Sequence, residues 1–147
     1  MIRNEREYQE MLQRLDQDRN FIAKQKEALE QMGLNKEEVE RAMEPALSFH
    51  EQLKEEVEYY ERVKRGEFEA IQNLLGFGRL LIGARIALGM SQRELAERLD
   101  VSEAQVSKDE RNEYHGITVE KAQRILDALG VTVTSKVDIS RKKLQFD

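Results

Sequence analysis

With 147 residues the chain has room for one ordinary domain or two small ones, and 36% charged against 6% aromatic residues suits soluble helices better than one large core. It has no Cys and only two histidines, His50 and His115, which stand at no ligand spacing, so disulfides, thiolate chemistry and a metal site are excluded and no cofactor is expected. The most apolar stretch, Leu80 to Met90, is interrupted by Arg85, the polar start Met1-Ile2-Arg3-Asn4-Glu5 lacks an apolar leader, and net charge is −5: a cytoplasmic protein without a membrane span is expected, and the charge alone does not advertise nucleic acid.

Residues 1–66 read as two long helices. Tyr8, Leu15, Ile22 and Leu29 recur at heptad spacing, with Met11, Leu12 and Met32 on the same side. That makes an apolar seam of about four heptads, roughly 40 Å long. Asp18 and Gln25 fall where apolar partners belong. Gly33-Leu34-Asn35 is a break: Gly33 suits a helix C-cap, and Asn35 followed by Glu38 resembles a capping box. A second seam follows at Val39, Ala46, Leu53 and Tyr60, with Met43, His50 and Val57 beside it. Pro45 interrupts it, so either the helix kinks there or one helix ends near Met43 and another starts with Pro45 in its first turn. Both versions give an antiparallel helical hairpin, or coiled coil. Phe68, Ile71, Leu74 and Leu75 then predict a linker helix over 67–77, with Gly76 and Gly78 blurring its junction to the next element.

From residue 78 to 130 the signals are caps and turns. Leu80, Leu81, Ala84, Ile86, Ala87 and Leu88 make an apolar helix ended by Gly89. Ser91 with Glu94 opens a second helix with Leu95, Ala96 and Leu99 inside, and Ser102 with Gln105 opens a third with Val106 inside, running out near Asn112. Thr118 caps a fourth with Ala122, Ile125, Leu126 and Leu129 at core spacing, and Gly130 ends it. Only Asp100-Val101-Ser102 separates the second helix from the third, and Ala96 permits a close crossing. Periodicity alone fits any small helical bundle.

The residues from Met90 to Ser102, with Ser91-Gln92, Glu94-Leu95-Ala96 and Val101-Ser102, resemble the Cro and lambda-repressor class of helix-turn-helix regulators, also called the xenobiotic-response-element (XRE) class; Val106-Ser107 and Glu110 continue the match without gaps. The resemblance covers 78–130. It implies a lambda-repressor-like bundle there, and with the seams read above the chain is expected to be mainly all-α: an N-terminal hairpin (1–66), a linker helix (67–77), the bundle (78–130), and a short strand and tail (131–147). It also implies a buried pair between Arg85 and Glu110 that fixes the angle of the third helix. Asp100 and Asn112 stand where the family commonly has Gly, and both tolerate left-handed backbone.

In that fold the third helix enters the major groove N-terminus first. With Val106 and Glu110 inward, Glu103, Ala104, Ser107, Lys108 and Arg111 share the outward face. Glu103 can accept from a cytosine amino group, Ala104 can meet a thymine methyl, and Lys108 can donate to guanine; Ser107 is permissive, and Gln105 can touch base or backbone. The resemblance places Gln92 on a phosphate at the second helix's N-terminus, with Arg93, Ser102, Asn112, Tyr114 and His115 as further backbone candidates. Plainer roles compete. Ser91 and Ser102 are caps in any case, Glu103 suits the helix dipole, Tyr114 can simply pack, and Lys108 and Arg111 can be ordinary surface charges. Residues 1–66 hold 12 basic and 16 acidic residues, and the remainder 12 and 13, so neither part has a basic excess. Non-specific DNA affinity should be modest and easily lost with salt.

After Gly130, Val131-Thr132-Val133-Thr134 and Val137-Asp138-Ile139 alternate like a short β-strand, which needs a partner; a second copy of the chain is the economical one. The leading expectation is a sequence-specific transcriptional regulator: a homodimeric repressor binding an inverted-repeat operator in double-stranded DNA, its hairpin serving as a coiled-coil dimeriser. Surplus apolar surface around Met11, Leu12, Met32 and Met43 would cover a second subunit or a toxin-like protein partner. The alternatives are an antitoxin that neutralises a toxin through its N-terminal region and autorepresses its operon, as the layout also resembles, and a protein-interaction module that binds no DNA. An enzyme is not expected, because there is no phosphate loop or nucleophile constellation.

Overall fold

The computed structural model describes residues 1–139, which form six helices and, among the described residues, no strand: α1 (Glu5–Gln31), α2 (Lys36–Lys64), α3 (Phe77–Ala87), α4 (Gln92–Leu99), α5 (Glu103–Arg111) and α6 (Val119–Leu129). No helix among them is long and apolar enough to cross a membrane.

α1 and α2 lie antiparallel, since the start of one meets the end of the other: Glu5 with Lys64, Tyr8 with Tyr60, and Asp18 with His50. Asn4 and Asn35 cap the two helices, and Asn35 and Glu38 form the full reciprocal capping box. α2 runs unbroken through Pro45. Pro45 removes one helical hydrogen bond, yet Val39 and Met43 before it and Leu53 and Val57 after it are buried on one continuous face. Packing on both sides therefore holds the helix together. The polar intruders of the first seam have distinct fates. Asp18 accepts from His50 Nδ1 at 2.7 Å, whereas Gln25 buries its side-chain oxygen without a partner among the described residues.

The apolar surplus falls on Met32 as expected, but otherwise lies elsewhere. Met43 is buried and Met11 and Leu12 pack on the core; besides Met32, the exposed large side chains of the hairpin are Phe21, Leu47 and Phe49.

No linker helix forms over 67–77: residues 67–76 run as turns and irregular chain, and α3 begins only at Phe77. Left-handed backbone at Gly66, Asn73 and Gly76 breaks the helical path that Phe68, Ile71, Leu74 and Leu75 suggested. Phe68 instead folds back on α3, where a Cβ at Gly83 would come within 2.9 Å of its ring and 3.2 Å of Val63. The missing side chain at Gly83 lets α2 and α3 meet.

α3 to α6 make the short-helix bundle, with α4 packed on α5 and α6, and α6 on α3. The core is continuous from hairpin to bundle: Ile2, Leu15, Val57, Tyr60 and Val63 belong to the same buried cluster as Leu81, Leu95, Val106, Ile125 and Leu129. The expected strand after Gly130 is not formed. Residues 131–139 have no ladder partner among the described residues, and Val131 and Val133 pack their side chains against the core instead. The rest of the expected tail, 140–147, lies outside the described residues.

Candidate nucleic-acid interface

The second and third helices of the bundle, α4 and α5, are joined by a turn whose geometry follows from Asp100. It takes the left-handed conformation (φ 55°, ψ 46°), and Val101 donates back to the Ala96 carbonyl at 3.0 Å. Ser91 accepts from the Glu94 amide and Ser102 from the Gln105 amide, fixing where each helix starts. The reciprocal half of the second box is diverted, because the Gln105 side chain donates to Asp109 at 3.0 Å.

The end of α5 departs from expectation. Asn112 is not left-handed (φ −86°); Glu113 (φ 52°) and Tyr114 (φ 53°) are. The closing bond runs from the Tyr114 amide to the Asp109 carbonyl at 2.8 Å, which moves the left-handed position on to Glu113. The displaced loop lies directly on α3. A Cβ at Gly78 would stand 1.9 Å from the Glu113 carbonyl oxygen, so only glycine admits this approach. Tyr114 is buried by the same arrangement, and its burial, with Glu110 and Asp109 nearby, pushes the phenol pKa up and keeps it neutral.

Beneath α5 lies the buried ion pair. The Arg85 guanidinium donates to Glu110 from Nε at 2.9 and 3.1 Å and from Nη2 at 2.6 Å, and both residues are almost completely buried. Nη1 donates to the Met90 carbonyl at 2.8 Å, Nη2 also donates to the Arg3 carbonyl at 2.9 Å, and Gln92 Nε2 donates to Glu110 at 3.3 Å. Five segments thus meet at one pair: α3, the α3–α4 turn, the start of α4, α5, and the chain before α1. On the flanks, Lys121 of α6 donates to Asp109 at 2.8 Å, and Arg98 of α4 donates to the Ala128 carbonyl at 2.9 Å.

What remains of α5 faces solvent. Glu103, Ala104, Gln105, Lys108 and Arg111 are exposed along one side, with Ser102 before them and Asn112 after. Lys108 and Arg111 have no ion-pair partner among the described residues. Ser107, assigned to the outward face, is half-buried on the flank, where its carbonyl accepts from Arg3 Nη1 at 3.4 Å. Gln92 is half-buried and turned toward Glu110, and Arg93 is exposed beside Glu97 at 3.5 Å. His115 is exposed in the loop after α5. No group of three or more metal-capable side chains exists among the described residues.

No repeat in the sequence marks Ile2, Arg3 or the close approach at Gly78. A lone apolar residue in a polar leader and an isolated glycine carry no repeat to detect. Gly78 would have been legible only as a conflict, a glycine where a helix ought to begin.

A helix-turn-helix family model matches residues 82–135, somewhat offset from the 78–130 covered by the resemblance and well short of half the chain. No curated protein and no solved structure matches it.

Proposed function

Residues 82–135 form a helix-turn-helix domain of the XRE class, and from that premise we propose that this DNA-binding regulator is a homodimeric repressor reading an inverted-repeat operator with α5. The observation that carries the proposal is the division of α5 into a face fixed by Val106 and Glu110 and a solvent face of short or hydrogen-bonding side chains. Ala104 on a thymine methyl, Lys108 on guanine and Glu103 on a cytosine amino group supply direct readout, with Gln105 and Arg111 adjoining; Ser107 contributes from the edge. Ser102, Asn112, Gln92 and Arg93 set the register on the backbone. One amide hydrogen of Gln92 goes to Glu110, leaving the other for a phosphate oxygen.

Dimerisation is supported by exposed apolar side chains at the edge of the bundle: Leu74, Leu75 and Val119 border a groove that also takes in Phe77, Ile117 and Leu126. The hairpin's exposed Phe21, Met32, Leu47 and Phe49 instead support the second reading, an antitoxin whose N-terminal region covers a toxin-like protein.

Selection of duplexes from a random pool by the full chain tests the proposal. An enriched inverted repeat is expected, its half-sites about one helical turn apart, roughly 34–36 Å, or a multiple of it. A pool with no enriched motif overturns the DNA-reading function, and a monomer on the selected duplex overturns the dimer.

A further inference from the structure

The chain before α1 is built into the DNA-reading unit. Ile2 is 3% exposed, within the core shared by hairpin and bundle. Asn4 fixes the start of α1 by accepting from the Glu7 amide at 2.8 Å. Between them, Arg3 is held at both ends. Its backbone amide donates to Glu7 at 2.9 Å and its guanidinium to the same carboxylate at 3.1 Å. Its carbonyl accepts from Arg85 at 2.9 Å, and its Nη1 reaches the Ser107 carbonyl of α5 at 3.4 Å.

α5 is a short helix, and a short helix draws little stability from its own hydrogen bonds. Besides the burial of Val106, its pose is set by four polar ties: Glu110 to Arg85 and to Gln92 beneath, Asp109 to Lys121 on one flank, and Ser107 to Arg3 on the other. Two of the four involve Arg3, through its carbonyl on Arg85 and its guanidinium on Ser107. Side-chain readout of bases depends on that pose more steeply than phosphate contact does, because a base edge must be met within hydrogen-bond geometry while a phosphate is attracted from any direction.

We infer that Arg3 is a positioning residue of α5, so that specific DNA recognition requires the N-terminal segment and any partner that draws α1 away from the bundle releases the reading helix. The inference rests on the DNA-reading function proposed above, but its structural half stands apart from it. Arg3→Ala leaves the Ile2 anchor and the backbone bonds to Arg85 and Glu7 in place, so the fold survives and only the guanidinium's contacts with Ser107 and Glu7 go.

The test uses the full chain as wild type, Arg3→Ala and Arg3→Lys, with two readouts. The first is amide hydrogen exchange over residues 103–111. The second is affinity for the duplex selected by the wild type and for a scrambled duplex of equal length. In Arg3→Ala, α5 amides are expected to exchange about tenfold faster, with the α1 amides unchanged. Affinity for the selected duplex falls about fivefold to tenfold, the net size of one ordinary hydrogen bond, with the scrambled duplex unaffected. Arg3→Lys recovers most of both. Unchanged α5 exchange overturns the inference, as does acceleration spread evenly over α1 and α5 with equal loss on both duplexes. A wild type that selects no duplex defeats the DNA-reading function, and the exchange at α5 then decides the positioning role alone.

Discussion

The hairpin and the bundle are held together by different means. Between α1 and α2 the contact is a narrow seam along two long helices, and it admits polar residues: Asp18 with His50, Gln25, and the Tyr8 hydroxyl donating to Glu61 at 2.7 Å. In the bundle the helices are a third as long or little more, each stopped by a cap or a left-handed residue, and the buried charged residues among those described, Arg85 and Glu110, form one ion pair. A seam of heptads tolerates errors because each position repeats. A bundle of short helices has no such redundancy, and its turns must be right individually. The two regions are nonetheless not separate bodies, since Ile2, Tyr60 and Val63 close a core that continues into α3 and α6.

Separating the two is therefore the harshest test. The fragment 67–147 would lose Ile2, Val57, Tyr60 and Val63 from the shared core. At about 1.5–3 kcal/mol per buried side chain, that loss rivals the whole stability of a small domain. Thermal unfolding followed by circular dichroism should show a weak or absent cooperative transition; a fragment melting like the full chain would mean that the bundle stands alone.

Next in size is the ion pair. Glu110→Ala leaves Arg85 buried and uncompensated and should cost about 3–5 kcal/mol, whereas the pair itself adds little net stability over an apolar substitute. A denaturant midpoint near that of the wild type would show that Met90 and Arg3 satisfy Arg85 unaided. On the hairpin side, replacing Asp18 and His50 together by Leu should be neutral or stabilising, because a seam position then gains apolar burial without an orphaned charge. A clear loss of stability would make the pair a structural requirement of the hairpin.

A smaller gain is expected from Glu113→Gly. Relief of the left-handed strain is worth about 1 kcal/mol, partly offset by the greater freedom of glycine in the unfolded chain. The smallest effect comes from pH. The ammonium of Lys64 and the amide of Gln9 lower the carboxyl pKa of Glu5. The stability contributed by this exposed contact is present above the ordinary carboxylate pKa and is lost as pH falls through the lowered one. Wild type and Glu5→Gln should therefore converge in stability on acidification, and curves that stay parallel would assign the effect to other groups.

What the sequence made legible followed these two modes of cohesion. The seams at Tyr8, Leu15, Val39, Leu53, Val57 and Tyr60 gave the hairpin, because repetition is visible. Ser91, Asp100, Ser102, Thr118 and Gly130 gave the starts and stops of the bundle, because caps are local chemistry. The linker was misread as helix since left-handed backbone at Asn73 outweighed helical spacing, and the left-handed residue after α5 fell at Glu113 because the loop closes on Gly78. Arg3 on Arg85 joins residues 82 apart in the sequence, and no local pattern announces such a contact.

The central claim is that the solvent face of α5 reads bases, and Lys108→Ala on the selected operator tests it most directly. The expected result is a loss of about 1–3 kcal/mol in binding, relaxed preference at one base position and unchanged thermal stability. An unaltered footprint and an unaltered preference at every position would contradict it.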